Sequence, residues 1–267
     1  MNRPRPDAHR RAGDKPPAPL PPQRGPRLVL GLQAVRAAIR AHGSRLGGVL
    51  VEDGDNPRLA AVQRFASDQG VASIEVVGRA SLDRLAGGVL HQGVAAWAPE
   101  LVNTEFSALL GDPQLLGIVL DRIQDPQNFG AVVRSSVGLS AGCVVWGEHS
   151  SAPLGPATLR AAAGAAEFAK LCRVASLPGA LGDAAQQGVQ VIGLDAQADK
   201  PLASWDLRGP TLLVIGSEQA GMTPAVRRAC TGFARLVAPN SIESLNASVA
   251  AAIALYEASR QRTVSSS

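Results

Sequence analysis

Short apolar runs alternate with longer amphipathic stretches along this chain, which predicts strands alternating with helices. In the N-terminal part, the predicted strands are 28–30, 48–52, 74–77 and 94–97, and the predicted helices are 33–42, 57–69 and 81–85. A unit of this size can bury a core of its own. The pattern therefore predicts a small α/β domain over residues 27–98, followed by a linker over 99–114.

A second alternation of the same kind fills the rest of the chain. Its predicted strands are 116–120, 143–145, 171–174, 189–194, 211–215 and 234–238, and its predicted helices are 131–140, 156–166, 181–187, 223–230 and 245–261. The runs 189–194 and 211–215 are almost wholly apolar, which is typical of strands covered on both faces. We expect an α/β domain over 115–262, with a mostly parallel sheet between helices, and a short tail over 263–267.

Composition separates the first residues from the rest. The chain has 267 residues, 46% of them hydrophobic, and a formal net charge of +4. Residues 1–26 hold six basic and two acidic residues, which accounts for the whole net charge, together with eight of the 19 prolines. Such a segment cannot offset its ordering entropy and is predicted to be a disordered basic arm. It is either a solvated tail without a function or a segment that binds phosphates weakly and in a salt-dependent way.

Several classes of protein are disfavoured. No uncharged apolar run is long enough to span a membrane, and the first residues are charged and proline-rich rather than apolar. The three cysteines, Cys143, Cys172 and Cys230, are odd in number and form no CxxC pair. We therefore expect a cytoplasmic protein without disulfides, a structural metal or a membrane partner.

Three polar loops follow predicted strands, where ligands bind in open parallel sheets. The first runs from Asp125 to Gly130 and is followed by Arg134 in the next helix. A helix start and a guanidinium group can bind an anion, although an ordinary N-cap with a solvated arginine is the alternative. Neither GxGxxG nor GxxxxGK[ST] occurs there or after residue 215, which disfavours nucleoside triphosphatases and dinucleotide binders.

The other two loops add a carboxylate and amide and hydroxyl groups. Residues 216–221 contain Glu218, which is poorly placed for a structural role, although a tight turn is the alternative. Residues 239–248 contain Ser244 and Asn246, for which an N-cap is the alternative. All three loops would lie at one edge of one sheet, so a shared site explains them more economically than chance.

The same loops resemble a known family. The runs DRIQDPQNFGAVVRSS, LLVIGSEQAGM and PNSIESLNASVAAAIALYEASRQR resemble the three signatures of the SpoU (TrmH-like) RNA ribose 2′-O-methyltransferases. The intervening AAAGAAE at 161–167 agrees as well, and the match covers about 115–262. Residues 28–98, with GLQAV at 31–35 and HQGV at 91–94, resemble the family's N-terminal RNA-substrate domain, which is related to a ribosomal-protein fold.

The resemblance implies S-adenosyl-L-methionine as cofactor, a homodimer, and a C-terminal trefoil-knot (SPOUT-type) domain, whereas periodicity alone predicts an unknotted sheet. By similarity, the catalytic positions are Asn128, Arg134, Glu218, Ser244 and Asn246, and the cofactor positions are Gly193, Leu194, Ile215, Gly216, Ala238, Leu245 and Asn246. Arg134 either activates the ribose hydroxyl or only fixes the ribose and phosphate, since arginine is a poor base. Glu218 is a possible partner of its guanidinium.

The function that the resemblance implies is 2′-O-methylation of a ribose, most readily of a guanosine in large-subunit ribosomal RNA. The N-terminal domain favours that substrate over transfer RNA, which is the first alternative. A non-catalytic RNA-binding or ribosome-assembly factor is an alternative of another class. A nicotinamide dehydrogenase is a third, disfavoured by the missing glycine fingerprint.

Overall fold

The computed structural model describes residues 23–148, 150–236 and 245–264. Its N-terminal part is a four-stranded sheet in the order β1-β4-β2-β3. The elements are β1 (Arg27–Leu30), α1 (Leu32–His42), β2 (Gly48–Glu52), α2 (Pro57–Asp68), β3 (Ile74–Val77), α3 (Arg79–Ala86) and β4 (Val94–Ala98). All the predicted strands and helices of this part are confirmed. Helix α2 begins as its sequence predicts, because the Asn56 side chain accepts a hydrogen bond from the Arg58 N–H.

The core of this part lies between the sheet and helices α1 and α2. Val35 and Ile39 of α1 pack there with Val49 and Val51 of β2. Most of the predicted basic arm, residues 1–22, lies outside the described residues. At its end, residues 23–26 are described, and Arg24 forms an ion pair with Glu75 of β3 at 2.8 Å.

The C-terminal part is a six-stranded parallel sheet in the order β10-β8-β9-β5-β6-β7. Its elements are β5 (Leu116–Leu120), α4 (Pro126–Gly138), β6 (Cys143–Gly147), α5 (Pro156–Ala162), β7 (Leu171–Val174), α6 (Leu177–Gln186), β8 (Gln190–Leu194), β9 (Thr211–Ile215), α7 (Pro224–Ala229), β10 (Gly232–Ala234) and α8 (Ala247–Val264). Helices α4, α5 and α8 cover one face, and α6 and α7 cover the other. The predicted layered α/β architecture is confirmed.

The linker is attached to this second sheet. Asn103 lies beside Leu171 of β7 in a parallel bridge, and the Thr104 N–H donates to the Leu171 carbonyl at 2.7 Å. A short 3-10 turn follows at Ser107–Leu109. The linker therefore contains a short helical turn and is hydrogen-bonded to the C-terminal sheet.

Helix α4 starts five residues before its predicted position. The Asp125 carboxylate caps it by accepting from the Gln127 N–H at 2.9 Å, and Pro126 occupies the first turn. Residues 126–130 are therefore helical, and the prediction of a loop there was wrong. As a result, Gly130 lies inside the helix, where a Cβ would be 2.4 Å from both the Ala161 Cβ and the Thr158 carbonyl oxygen of α5.

Three other elements have a boundary four residues from the predicted position. Helix α5 ends at Ala162 because Ala163 and Gly164 take left-handed conformations, with φ of +49° and +88°, and a 3-10 turn follows at Ala165–Glu167. Helix α6 starts at Leu177 because Ser176 caps it. Strand β10 ends at Ala234, whereas the predicted strand ran to residue 238, and residues 237–238 lie outside the described residues.

The strand order determines where loops can meet. From β5 the chain continues to β6 and β7 on one side, and then returns to β8 and β9 on the other. Neighbouring strands β5 and β9 therefore form the point where the winding direction reverses, and their carboxyl ends open a crevice suited to ligands. Leu120 and Ile215 are paired at these ends.

Candidate active site at the carboxyl edge of the parallel sheet

One carboxylate joins the three predicted loops. Glu218 Oε1 accepts from Asn128 Nδ2 at 3.0 Å, from Asn246 Nδ2 at 2.6 Å and from the Ala247 N–H at 3.1 Å. Asn246 Nδ2 also donates a hydrogen bond to Asn128 Oδ1 at 3.0 Å. These residues follow β9, β5 and β10 in the chain, so the prediction that the three loops share one edge is confirmed.

Asn246 has two tasks at once. Its Oδ1 accepts from the Ser248 N–H at 3.0 Å, the Ser248 hydroxyl at 2.6 Å and the Val249 N–H at 3.3 Å, which caps helix α8. Its Nδ2 donates to Glu218 and Asn128. The N-cap proposed as the alternative for this loop is therefore real, and the same side chain also belongs to the polar cluster.

The loop that carries Glu218 is fixed by a tight turn. Ser217 and Gly221 exchange two backbone hydrogen bonds of 3.1 and 2.8 Å. A Cβ on Gly216 would lie 2.2 Å from the backbone of Gly221 and Met222, so only glycine fits there. The tight-turn interpretation is therefore also correct, and the missing Cβ of Gly216 makes room for the protein's own backbone.

Asp121 anchors the far end of that loop, a role that was not predicted from the sequence. Its side chain is 2% exposed, and its Oδ2 accepts from the Thr223 N–H at 2.6 Å. It lies directly after β5, so the carboxylate connects the first loop to the second. The signal available in the sequence was an acidic residue ending an otherwise apolar strand.

Arg134 lies apart from this cluster. It is in the third turn of α4, six residues after Asn128, which is about 9 Å along the helix axis. The prediction that it lies one turn into the helix was wrong, because α4 starts earlier. Its side chain is exposed and makes no hydrogen bond or ion pair with any residue that the structure describes. The expected Glu218–Arg134 pair was wrong as well, since Glu218 is held by the two asparagines, and the guanidinium remains available to a ligand.

The predicted cofactor positions lie at adjoining strand ends. Leu194 ends β8 and Ile215 ends β9, and the neighbouring Gly193 and Val214 are paired. A Cβ on Gly193 would lie 2.8 Å from the Phe233 ring, so this glycine allows close packing between strands. Leu245 is 37% exposed beside the polar cluster. Ala238 and Ser244, the remaining predicted site residues, lie outside the described residues.

These residues fit an adenosine-type ligand. The strand ends bring backbone groups and the side chain of Leu194 to the edge that carries the polar cluster, and Leu245 directly precedes Asn246 of that cluster. An adenine ring requires hydrogen bonds and apolar surface rather than a charged pocket.

Asp195 follows β8 at the same edge. Its carboxylate is partly buried, which raises its pKa. Hydrogen bonds from the Gln197 N–H and from Arg227 outweigh this effect and hold the pKa of Asp195 below its ordinary value. The Arg227 guanidinium lies 4.2 Å from the centre of the Phe233 ring. This pair braces the loop after β8.

Two further findings concern metals and membranes. Among the described residues, no group of three or more histidine, cysteine, aspartate or glutamate side chains is arranged to hold a metal ion. Within the same residues, no helix is both long and apolar enough to cross a lipid bilayer.

Comparison with known proteins now identifies the family. The model of the SpoU rRNA Methylase family matches residues 115–256, which is more than half of the chain and contains the whole polar cluster. The chain belongs to this family. A second model, for RNA 2′-O ribose methyltransferase substrate binding, matches residues 28–101, which is the N-terminal sheet with its helices.

Relatives of the SpoU rRNA methylase family match this chain over nearly its whole length. It is 36% identical over 242 residues to the 23S rRNA (guanosine-2′-O-)-methyltransferase RlmB of Xanthomonas axonopodis pv. citri, a match that covers 88% of this chain and 96% of that protein. It is 37% identical over 268 residues to an uncharacterized tRNA/rRNA methyltransferase of Mycobacterium avium, covering 97% and 85% of the two chains.

A solved structure agrees with this assignment. The SpoU methyltransferase AviRb from Streptomyces viridochromogenes, in complex with AdoMet, is 26% identical and superposes with a TM-score of 0.72 over 89% of this chain and 90% of that one. The rRNA methyltransferase from Sinorhizobium meliloti shares the fold, with a TM-score of 0.68 at 21% identity, over 87% and 86% of the chains.

Proposed function

We propose that this protein transfers a methyl group from S-adenosyl-L-methionine to the ribose 2′-hydroxyl of a guanosine in large-subunit ribosomal RNA. The observation that carries this proposal is the Glu218 carboxylate, which joins Asn128 and Asn246 at the point where the sheet reverses direction. Family membership and the RlmB relatives support the reaction and the substrate. The AviRb complex supports the cofactor.

The N-terminal part would bind RNA and the C-terminal part would perform the chemistry. The match to a substrate-binding model over 28–101 supports this division at the linker 99–114. Recognition would depend on arginines and on RNA shape, because aromatic residues make up only 3% of the chain and base-stacking surfaces are scarce.

S-Adenosyl-L-methionine supplies an electrophilic methyl group on a sulfonium. The chain's own task would be to hold the ribose hydroxyl close to that methyl group and aligned with it, because reacting groups that are already positioned react faster. Asn128 and Asn246, locked through Glu218, would form one wall of the site. The exposed Arg134 would bind the ribose and its phosphate with its forked donors. Leu194, Ile215 and Leu245 would line the cofactor, and we keep Ala238 and Ser244 as proposed members of the site.

We also infer a homodimer. An apolar stripe is exposed along helix α8 and just before its start. It is formed by Leu245, Val249, Ile253 and Tyr256, at intervals of three or four residues. These side chains are 37–59% exposed, whereas the opposite face of α8 packs its alanines into the core. The same stripe on a second copy of the chain would bury these side chains, because a two-fold dimer interface uses the same surface of both subunits. Light scattering that gives a monomeric mass at micromolar concentration would contradict this.

A trefoil knot is the proposed topology of the C-terminal part. Strand β10 lies at the sheet edge, whereas α8 packs against α4, β9 and β5 near the centre. The described elements on either side of this connection therefore belong to the edge and to the centre of the sheet, and this arrangement supports the proposal. A cytoplasmic location follows from the proposed ribosomal substrate.

Labelled methyl transfer is the direct test. Purified protein and S-adenosyl-L-methionine labelled in the methyl group are incubated with unmodified large-subunit ribosomal RNA transcript and, separately, with a transfer RNA transcript. We expect label in the ribosomal transcript, in a ribose that resists alkaline cleavage on its 3′ side. Label in transfer RNA alone would favour that alternative, and no transfer to either RNA would favour a non-catalytic RNA-binding factor.

A further inference from the structure

A buried carboxylate joins the two parts of the molecule at the turn after α5. The Glu167 side chain is only 3% exposed, and both of its oxygens contact the N-terminal part. Arg27 donates to them through Nη1 and Nη2, each at 2.8 Å. His42 Nε2 lies 2.8 Å from Oε2 and must be the donor there, because a carboxylate only accepts. The carboxylate is thus held on both sides by residues more than a hundred positions away.

The backbone around this carboxylate is shaped for the same contact. Gly164 has a φ of +88°, and a Cβ on it would lie 2.5 Å from the Ala37 Cβ and 3.0 Å from the Ala34 Cα. Helix α1 therefore approaches the turn through small residues, while Val35 and Ile39 remain in the core of the N-terminal part. The AAAGAAE run is explained by this close approach and by the buried glutamate.

The turn is packed against the helix that carries two of the proposed active-site residues. The 3-10 turn Ala165–Glu167 contacts α4, and α5 packs so closely on α4 that Gly130 leaves no room for a Cβ. Helix α4 carries Asn128 and Arg134. The orientation of the N-terminal part is therefore defined relative to the proposed site through a continuous set of rigid contacts.

We propose that Arg27, His42 and Glu167 are positioning residues that hold the RNA-binding part in one orientation relative to the active site. RNA captured by that part would then present its ribose to Arg134. Each part has its own core, so the charge cluster is not needed to fold either one. Buried charge pairs add little stability compared with apolar contacts, but they accept only a narrow range of geometries. This inference rests on the proposed RNA methylation.

Loosening the cluster should affect one kinetic parameter selectively. RNA would still bind to the N-terminal part, but it would reach the active site in many orientations. The loss would therefore appear in the rate constant at saturating RNA and not in the affinity for RNA or cofactor. Because small misplacements of reacting groups are costly, we expect that rate constant to fall about 10- to 100-fold.

The test uses the full chain with unmodified ribosomal RNA transcript. Glu167→Gln removes the charge and places an amide donor against the Arg27 fork. Ala37→Arg inserts a bulky charged side chain beside Gly164 and leaves the buried cluster residues unchanged. Glu75→Gln is the matched control, because Glu75 pairs with Arg24 within the N-terminal part. Domain separation is measured by small-angle scattering, both affinities by titration, and methyl transfer in single turnovers.

We expect Glu167→Gln and Ala37→Arg to separate the two parts and to keep the affinities for RNA and cofactor within about threefold of the wild type. Their single-turnover methylation rate constant should fall about 10- to 100-fold. Glu75→Gln should match the wild type in all three measurements. Separation with a wild-type rate would overturn the proposal, and so would two variants that stay compact. A loss confined to RNA affinity would also overturn it. If Glu167→Gln does not fold, Ala37→Arg decides. A wild-type protein that methylates no RNA would refute the proposed function instead.

Discussion

Replacing Asn246 with aspartate should separate the two tasks of this side chain. Aspartate keeps an oxygen where Oδ1 caps α8 through the Ser248 and Val249 N–H groups. The other oxygen replaces Nδ2, which lies 2.6 Å from Glu218 Oε1. The helix should therefore remain intact while the polar cluster gains two facing carboxylates.

The size of the effect follows from that distance. Two unit charges at this separation repel by about 1.6 kcal/mol with the dielectric constant of water, and by about 6 kcal/mol at an effective value of 20. Glu218 and Asn246 are exposed, so the lower figure is the better guide. The lost hydrogen bonds add about 1 kcal/mol of destabilisation, and an acid at a helix N-terminus offsets a small part of it. We therefore expect the free energy of unfolding at pH 8 to fall by about 2 kcal/mol.

The pH dependence has a definite sign. Like charges this close disfavour double ionisation, so the apparent pKa of the carboxyl pair in the variant is raised by folding. The destabilisation is complete above that raised value and disappears as the pH falls towards the unfolded carboxyl pKa of about 4. The stability gap to the wild type should therefore narrow between pH 8 and pH 5.

Chemical denaturation followed by circular dichroism measures this gap, with methyl transfer assayed in parallel. Asn246→Ser is the matched control, since a serine can still cap the helix and adds no charge. Its gap to the wild type should not change with pH. If Asn246→Asp is as stable and active as the wild type at pH 8, or if its gap is constant with pH, the cluster does not organise the site.

Three other outcomes are expected. Arg134→Ala should keep its cofactor affinity in calorimetry, while its single-turnover methylation rate should fall about 100-fold or more. Arg134→Lys should not restore that rate, because an ammonium lacks the paired donors of a guanidinium. A near-normal rate for Arg134→Ala would show that Arg134 is not part of the site. Arg227→Ala should lower stability, and the part of the loss that comes from the Asp195 pair should fade as the pH falls below the ordinary aspartate pKa of 3.8, leaving the part that comes from the Phe233 ring; a loss that is unchanged at pH 2–3 would contradict the pairing. Gly130→Ala should lower the free energy of unfolding by about 1–3 kcal/mol by overpacking α4 on α5, whereas Gly138→Ala, which meets open space, should be neutral or stabilising in the same chemical denaturation assay.

The sequence by itself determined the order and type of nearly all the elements and the edge at which the site lies. Periods of two and 3.6 residues depend only on near neighbours, so they can be read from the chain. The strand ends of a parallel sheet also meet at one edge, which is why Asn128, Glu218 and Asn246 could be grouped before any coordinates. The start of α4 was missed, although Asp125 and Pro126 are a recognisable capping pair.

Only the tertiary structure decided which side chains are partners. Glu218 bonds to residues 90 and 28 positions away rather than to Arg134, and Glu167 bonds to residues 140 and 125 positions away in the other part of the molecule. The steric need for glycine at position 216 also came only from the structure, because a Cβ there would lie 2.2 Å from the backbone of Gly221. Such choices depend on differences of an ångström between groups that are distant in sequence, and local patterns carry no record of those distances.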